Sequence, residues 1–470
     1  MIRRAERSWW MEEALADPAL DGEPTPALDR DVTADVVVLG GGYTGMWTAW
    51  FLKEREPDLD VVLLERDICG GGPSGRNGGF CNGFWEDLGI LVELFGVARA
   101  LEVCRAAERS VEEIGTWCTD HDVDAWYTPA GHLGVATSAA QDGTWDEWYA
   151  LMVRLAVDDG RIKQLSPEQV AERCRSPVFR SGVHTVRAAT LQPARLARGL
   201  RRELLAHGAR IFEQTPVLRF RGGSSPQVQT PAGTVRAGQA ILGMGAYMAP
   251  LKAFRRAIVP RGTYMVLTEP IPERLQDLGW TGGEGIYDFR TALHYLRTTR
   301  DGRLAFGSAA AVTGFGVGLG PRLDFDERSV DTVAADLARM FPSLADARLE
   351  CGWGGPMDVT GWHVPSFGTV EGGRVHFGVG YTGGGVGPCH LGGQILSGLA
   401  LGTRDEVTRL PLVGLEPKRF PPEPLRSPGA LLTQKAIVSK DEAEDRGRRP
   451  NPVVGLVAGL PRRLGYNLGP

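Results

Sequence analysis

Gly40, Gly42 and Gly45 stand at the spacing a dinucleotide pyrophosphate requires, directly after the apolar run Val36-Val37-Val38-Leu39. Gly40 permits the turn after a strand, Gly42 lets backbone N–H groups approach phosphate, and Gly45 lets the next helix pack closely on that strand. Phosphate then lies at a positive helix N-terminus formed by Tyr43 and Thr44. In a chain with 63 glycines such a triplet is weak alone, and its context strengthens it. A helix-compatible stretch runs from Tyr43 to Glu56, Pro57-Asp58 breaks it, and Leu59 to Leu64 read as a second strand ending in Glu65. That acid lies 20 residues after Gly45. It can accept hydrogen bonds from a ribose diol and repels a 2′-phosphate. Further on, Gly70 to Phe80 holds six glycines with Ser74, Arg76 and Asn77 between them. Such a run suits backbone pressed against a flat, polar ligand edge.

The elements that must position these residues follow from pattern. Strands are expected at Ala209 to Phe212 and Ala237 to Gly243, and Val375 to Gly380 leads into Gly383-Gly384-Gly385 and a helix from Pro388 to Leu401. Gln192-Pro193 opens another helix, with proline at its first position, and Gly208 closes it. From 90 to 160 the texture is helical, and runs at Thr263 to Thr268, Ala292 to Thr298 and Arg303 to Phe306 suggest an antiparallel sheet. The expected architecture is therefore α/β and α+β: a Rossmann-like nucleotide domain with an inserted antiparallel-sheet substrate domain. The nucleotide domain takes residues 34–90, 186–250 and 350–409, and the substrate domain 91–185 and 251–349. Residues 1–33 form an arm with a short Trp9-Trp10 helix packed on the surface, and 410–470 a C-terminal extension with one helix near 429–444.

At 470 residues more than one core is expected, and a net charge of −5 leaves no nucleic-acid footprint. Seven cysteines without a C-x-x-C pair argue against a metal centre or a disulfide framework. Neither a secretory leader nor a bilayer-spanning stretch is legible, so a cytoplasmic setting is expected, as monomer or homo-oligomer.

The strand–glycine–helix unit, the Glu65-Arg66 pair and the loop Gly72-Pro73-Ser74-Gly75-Arg76-Asn77-Gly78-Gly79 resemble the FAD-dependent D-amino acid oxidase and sarcosine oxidase superfamily. The likeness runs to its gamma-glutamylputrescine oxidoreductase-like branch through Gln192-Pro193-Ala194-Arg195-Leu196, Val259-Pro260-Arg261, His294-Tyr295-Leu296-Arg297, Trp353-Gly354-Gly355-Pro356 and Gly380-Tyr381-Thr382-Gly383. The resemblance implies that FAD lies extended through the first domain. Ser74 to Gly79 would line the flavin and pyrophosphate, Val217 would sit by the adenine, and Gly243 and Gly245 would pass the phosphates. The segment Gly380 to Gly387, with Tyr381, Gly383, Gly384, Gly385 and Val386, would reach the pyrimidine edge of the flavin.

The resemblance also implies oxidation of a C–N bond: hydride passes from the carbon beside a primary or secondary amine to flavin N5, and the imine hydrolyses to aldehyde plus amine. A γ-glutamylputrescine-like amine is one candidate. A glycine- or D-amino-acid-type oxidase and a non-catalytic FAD-binding assembly protein stay open. Three departures from the sarcosine oxidase pattern bear on this. Gly387 stands where those enzymes carry a carboxylate-binding lysine, Ala305 where they carry the lysine that promotes electron transfer to oxygen, and Gly355 near their flavin-tethering cysteine. Non-covalent FAD is expected, with O2 or another acceptor taking the electrons. Candidates for the substrate cavity are Tyr264, Tyr295, Arg297, Trp353 and Tyr381, with Tyr295 and Arg297 on one strand face, suited to a distal carboxylate. Loop or core use is the simpler reading of His363 and of Cys389-His390.

Overall fold

A computed structural model describes the protein except residues 1, 21, 314–317, 371 and 468–470, and for 311–313 the backbone alone. Two large sheets organise it. In the first, Val32–Leu39 lies between Val61–Leu64 and Thr234–Leu242, all parallel, with Val36 opposite Val61 and Gln239. Arg210–Phe212 extends one side in parallel, and Val375–Val379 joins Thr234–Leu242 in parallel on the other. Strands with such continuous burial are covered on both faces. Helices Tyr43–Arg55, Pro193–Ala206 and Val386–Leu401 belong to this layer, and the first and third pack against each other. A Cβ on Gly393 would lie 2.6 Å from Trp47 Cβ, so that glycine sets how closely the two approach.

The second sheet has nine strands and is mostly antiparallel. Arg3–Arg4, Leu349–Val359, Val259–Thr268, Leu304–Thr313, His294–Thr298 and Gly285–Asp288 follow one another across it, and His132–Val135, Gly182–Thr185 and Ile162–Leu165 complete it among the described residues. Mixed α/β and α+β architecture is thus present. Leu349–Val359 pairs along its length with Val259–Thr268, so a boundary at 350 would cut through a strand of the antiparallel sheet.

The N-terminal arm is no surface ornament. Arg3–Arg4 pairs in parallel with Leu349–Val359, and the helix Trp9–Leu15 inserts Trp10, fully buried, edge-on to Trp353 at 6.1 Å. Two tryptophans bury too much apolar area to remain at a surface. The C-terminal extension is also more regular than its composition suggests, with helices Arg426–Asp445, Pro452–Ala458 and Leu460–Arg463.

Candidate active site

Both parallel-sheet helices that point at the interior start on glycine. Gly42 caps Tyr43–Arg55 and Gly385 caps Val386–Leu401, neither with a side-chain acceptor. Their first N–H groups and their positive ends meet a cavity of about 1620 Å³ between the two sheets. That exceeds the roughly 300–1,000 Å³ of ordinary small-ligand pockets, leaving room for an extended dinucleotide and a substrate.

Gly40, Gly42, Tyr43, Thr44, Glu65, Arg66, Gly72, Ser74, Arg76, Asn77 and Gly78 line this cavity, as do Val217, Gly243 and Gly245. Gly40 adopts φ +105°, and a Cβ there would lie 2.9 Å from Gly243 O. Ser74 Oγ accepts from Tyr43 N at 2.9 Å, tying the second glycine loop to the first helix. Glu65 accepts from Gly41 N at 2.8 Å and Asp67 N at 2.9 Å, and burial raises its carboxyl above the usual range. Arg66 stacks on Tyr247, with Cζ 4.1 Å from the ring centre.

The FAD dependent oxidoreductase (DAO) family profile matches residues 35–399. The chain belongs to this family. A probable oxidoreductase OrdL from Rhizobium meliloti is 28% identical over 399 residues, covering 82% of this chain and 87% of that protein. The gamma-glutamylputrescine oxidoreductase of Escherichia coli is 28% identical over 382 residues, covering 81% and 86%. Among solved structures, glycine oxidase from Geobacillus kaustophilus superposes with a TM-score of 0.65 at 18% identity, over 79% of this chain and 96% of that one. That degree of likeness speaks to fold.

The cofactor of this FAD-dependent oxidoreductase is FAD, and the cavity fits it. Gly72 and Gly245 face open space, with no atom but their chain neighbours within 4 Å of a Cβ, while the first turns of the two helices, apart from Tyr43 N, which Ser74 holds, offer donors for phosphate and for a ring carbonyl. Tyr381, Gly383, Gly384, Gly385 and Val386 line the end nearer the second helix. Asp358 holds their turn by accepting from Gly380 N at 2.6 Å, and desolvation pushes its carboxyl up to about 6. Tyr381 Oη and Thr44 Oγ1 are 3.0 Å apart, which joins the two cofactor segments.

Four of the expected cofactor glycines stand behind the lining instead of in it. A Cβ on Gly45 would lie 2.0 Å from Gly40 O, on Gly75 2.3 Å from Gly70 O, on Gly79 2.0 Å from Leu191 O, and on Gly380 2.8 Å from Thr360 Oγ1. They allow the backbone to fold up behind the wall.

Among the expected substrate residues, Tyr295 and Tyr381 face the cavity and three do not. Strand alternation turns Tyr264 to the far face, into the core with Val266, Phe306 and Val330, where its hydroxyl donates to Arg322 O at 2.5 Å. Thr263 and Arg261 line the cavity from the same strand. Arg297 donates to Leu191 O and lies over Trp10 at 5.4 Å, so it braces the segment behind Gly79 and offers no distal carboxylate clamp. Burial lowers its guanidinium to about 9. Trp353 is buried with Nε1 donating to Arg76 O at 2.9 Å, buttressing the glycine loop from behind.

His363 lines the cavity at φ +64°, held neutral by burial and the charge of Arg261, which lower it to about 4. Cys389 also lines it, but burial pushes its thiol up to about 12, which rules out a resident thiolate. His390 packs between Trp47 and Phe51, at 4.6 and 5.1 Å.

Sequence reasoning missed the acidic end of the cavity. Glu86 and Asp87 line it beside Tyr287, Trp145, Trp148 and Phe289. Glu86 is exposed as well as lining the cavity. Tyr287 Oη donates to it at 2.9 Å. Desolvation raises Glu86 and pushes Asp87 up to about 7. Their one legible signal was position, immediately beyond the glycine loop in Phe84-Trp85-Glu86-Asp87. Arg261 carries no signal in the sequence beyond the family resemblance; in the structure its Nε has no hydrogen-bond partner among the described residues, and burial lowers its guanidinium to about 10.

Proposed function

We propose that this enzyme oxidises the C–N bond of a primary or secondary amine, and that Glu86 and Asp87 gather the cationic form of that substrate. One observation carries the reading: two neighbouring carboxylates line the cavity, and no ion pair joins either to a cation among the described residues. Burial opposes the charge of Asp87, and a cationic ligand would stabilise its ionised form. The aromatic side chains Trp145, Trp148 and Tyr287 add faces that attract an ammonium group.

Bound FAD supplies a hydride acceptor at N5. The chain's own residues bind and position. Tyr287 and Tyr295 are direct cross-strand partners, so their side chains share one face of the antiparallel sheet, which roofs the cavity, and Tyr287 fixes the Glu86 carboxylate. Holding the substrate C–H in line supplies most of what such a reaction asks of a protein. A small α-amino acid is disfavoured at the helix start, because Gly387 has no room for a carboxylate-binding side chain: a Cβ there would lie 2.6 Å from Asn82 O. No lysine lines the cavity among the described residues, and Ala305 sits in an apolar cluster with Met265 and Trp353, which supports an electron acceptor other than O2. Gly355 in the lining, with Cys351 buried behind, supports non-covalent FAD.

A second reading, a flavin amino-acid oxidase, draws on Arg261, an unpaired cation in the same cavity. Anaerobic addition of γ-glutamylputrescine, putrescine, sarcosine and D-alanine to the purified holoenzyme separates the two. Bleaching of the flavin absorbance by either of the first two is expected, and bleaching by sarcosine or D-alanine alone would overturn the amine reading.

A further inference from the structure

The last stretch of chain is basic and free of acids. Residues 446–470 contain five arginines and no Asp, Glu or Lys, in a protein of net charge −5. Arg446, Arg448, Arg449, Arg462 and Arg463 are all exposed, and among the described residues only Arg446 has an ion-pair partner, Glu442, at 3.4 Å. Between them run the helices Pro452–Ala458 and Leu460–Arg463. Gly459 N donates to Gly455 O, Arg463 N to Gly459 O and Leu464 N to Leu460 O, so the helical course continues through the junction.

This helix has a fastened side and a bare side. On the fastened side it packs on Arg426–Asp445, Asn467 N donates to Gly361 O at 2.9 Å, and Tyr466 stacks on Phe420 at 5.2 Å with Lys418 over its ring. The bare side shows Val453, Leu456, Leu460 and Leu464, exposed by 66, 50, 44 and 58%. At about 100° per residue these four fall within roughly 80° of the helix circumference. Of ten large apolar side chains exposed among the described residues, seven lie between Leu425 and Leu464, so the apolar surface is concentrated in the extension.

We propose that this helix docks on the surface of an anionic lipid bilayer, lying flat with Val453, Leu456, Leu460 and Leu464 in the acyl boundary and Arg446, Arg448, Arg449 and Arg463 at the phosphates, while Arg462 lines the cavity. An apolar stripe flanked by arginines is the pattern of an interfacial helix. Charge argues against a second copy of the chain on the same face, since an isologous contact would bring two sets of these arginines together. The rest of the protein carries the net negative charge, so an anionic surface attracts this face against the repulsion of the chain as a whole.

Co-sedimentation of the full-length holoenzyme with vesicles tests the proposal. Binding to phosphatidylcholine–phosphatidylglycerol vesicles at low salt is expected to be at least about tenfold tighter than to phosphatidylcholine alone, and to fall as salt rises. Leu456→Gln with Leu460→Gln, and separately Arg448→Gln with Arg449→Gln, should each abolish that preference while flavin content, melting temperature and anaerobic reduction by amine stay unchanged. Failure of the unmodified enzyme to sediment with the mixed vesicles overturns the proposal. So does a concentration-dependent dimer, seen by light scattering, that Leu456→Gln with Leu460→Gln dissolves. Loss of binding accompanied by loss of flavin content would mark the helix as structural and count against it as well.

Discussion

Tyr287 Oη donates to Glu86 at 2.9 Å, and the same carboxylate is the chain neighbour of Asp87, whose own carboxyl is pushed up to about 7 by desolvation. The hydroxyl comes from the antiparallel sheet and the acids from the segment after the glycine loop, so the anionic end of the cavity is assembled from both layers. Removing the charge at Asp87 should weaken capture of cationic amines. For Asp87→Asn we expect the KM for a reducing amine to rise about tenfold or more at pH 8, with kcat less affected, consistent with a charge-assisted contact of roughly 1.5–3 kcal/mol.

The pH dependence of the same group has a definite sign. Its carboxyl is raised from the ordinary aspartate range to about 7, so the native state retains a proton that the unfolded chain has lost. The stability linked to this group is present below the unfolded value and is lost as pH rises through 7. Asp87→Asn should therefore melt at a higher temperature than the unmodified enzyme at pH 8 and differ little at pH 4. Calorimetric melts at the two pH values read this directly, and equal shifts at both would refute the assignment.

Arg261 supplies the opposite pole. Its guanidinium lines the cavity with Nε unpartnered, and Met357, its cross-strand partner, has its sulfur 3.0 Å from where a Gly383 Cβ would stand. For substrates that carry a carboxylate remote from the reacting amine, Arg261→Met should raise KM roughly 10- to 100-fold, while a simple diamine is unaffected. Steady-state comparison of γ-glutamylputrescine with putrescine measures the difference. An equal loss on both would assign Arg261 to the cofactor.

The parallel sheet was legible because its signals are local. Strand, glycine triplet and acid lie within one βαβ unit, and Gly45 answers to Gly40 O five residues away. The roof was harder to read. Tyr264 looks suitable by type, but a single step in strand phase sends it to the far core and presents Thr263 in its place. Arg297 and Trp353 were drawn into the cavity by chemistry, when their partners are the backbone carbonyls of Leu191 and Arg76, more than one hundred residues away in sequence. Glu86 and Asp87 carried no periodic signal, and their importance comes from what is missing beside them. The arm was underestimated because the cavity that receives Trp10 is built from Trp353 and Arg297, which only the tertiary fold brings together.

The strongest single test of the scaffold is Glu213. It is fully buried against Arg198 and Arg201, at 3.2 and 3.0 Å, and accepts from Cys69 N at 2.6 Å and Thr25 N at 2.7 Å. The carboxylate thus pins the entry to the glycine loop and the N-terminal arm onto helix Pro193–Ala206. Without it, two buried guanidinium groups would each lose a carboxylate partner. Removal of one partner from such a site costs about 3–5 kcal/mol. Glu213→Gln should accordingly lower the denaturant midpoint sharply and weaken FAD retention, since Cys69 leads directly into Gly70–Gly79. Backbone contacts and arginines hold the native carboxyl below its ordinary range against the pull of desolvation, so the stability it contributes is present at neutral pH and lost as pH falls below about 4.5. In Glu213→Gln that acid-side loss should be reduced, which denaturant titrations at pH 7 and pH 4 would show as a smaller difference between variant and unmodified enzyme at the lower pH.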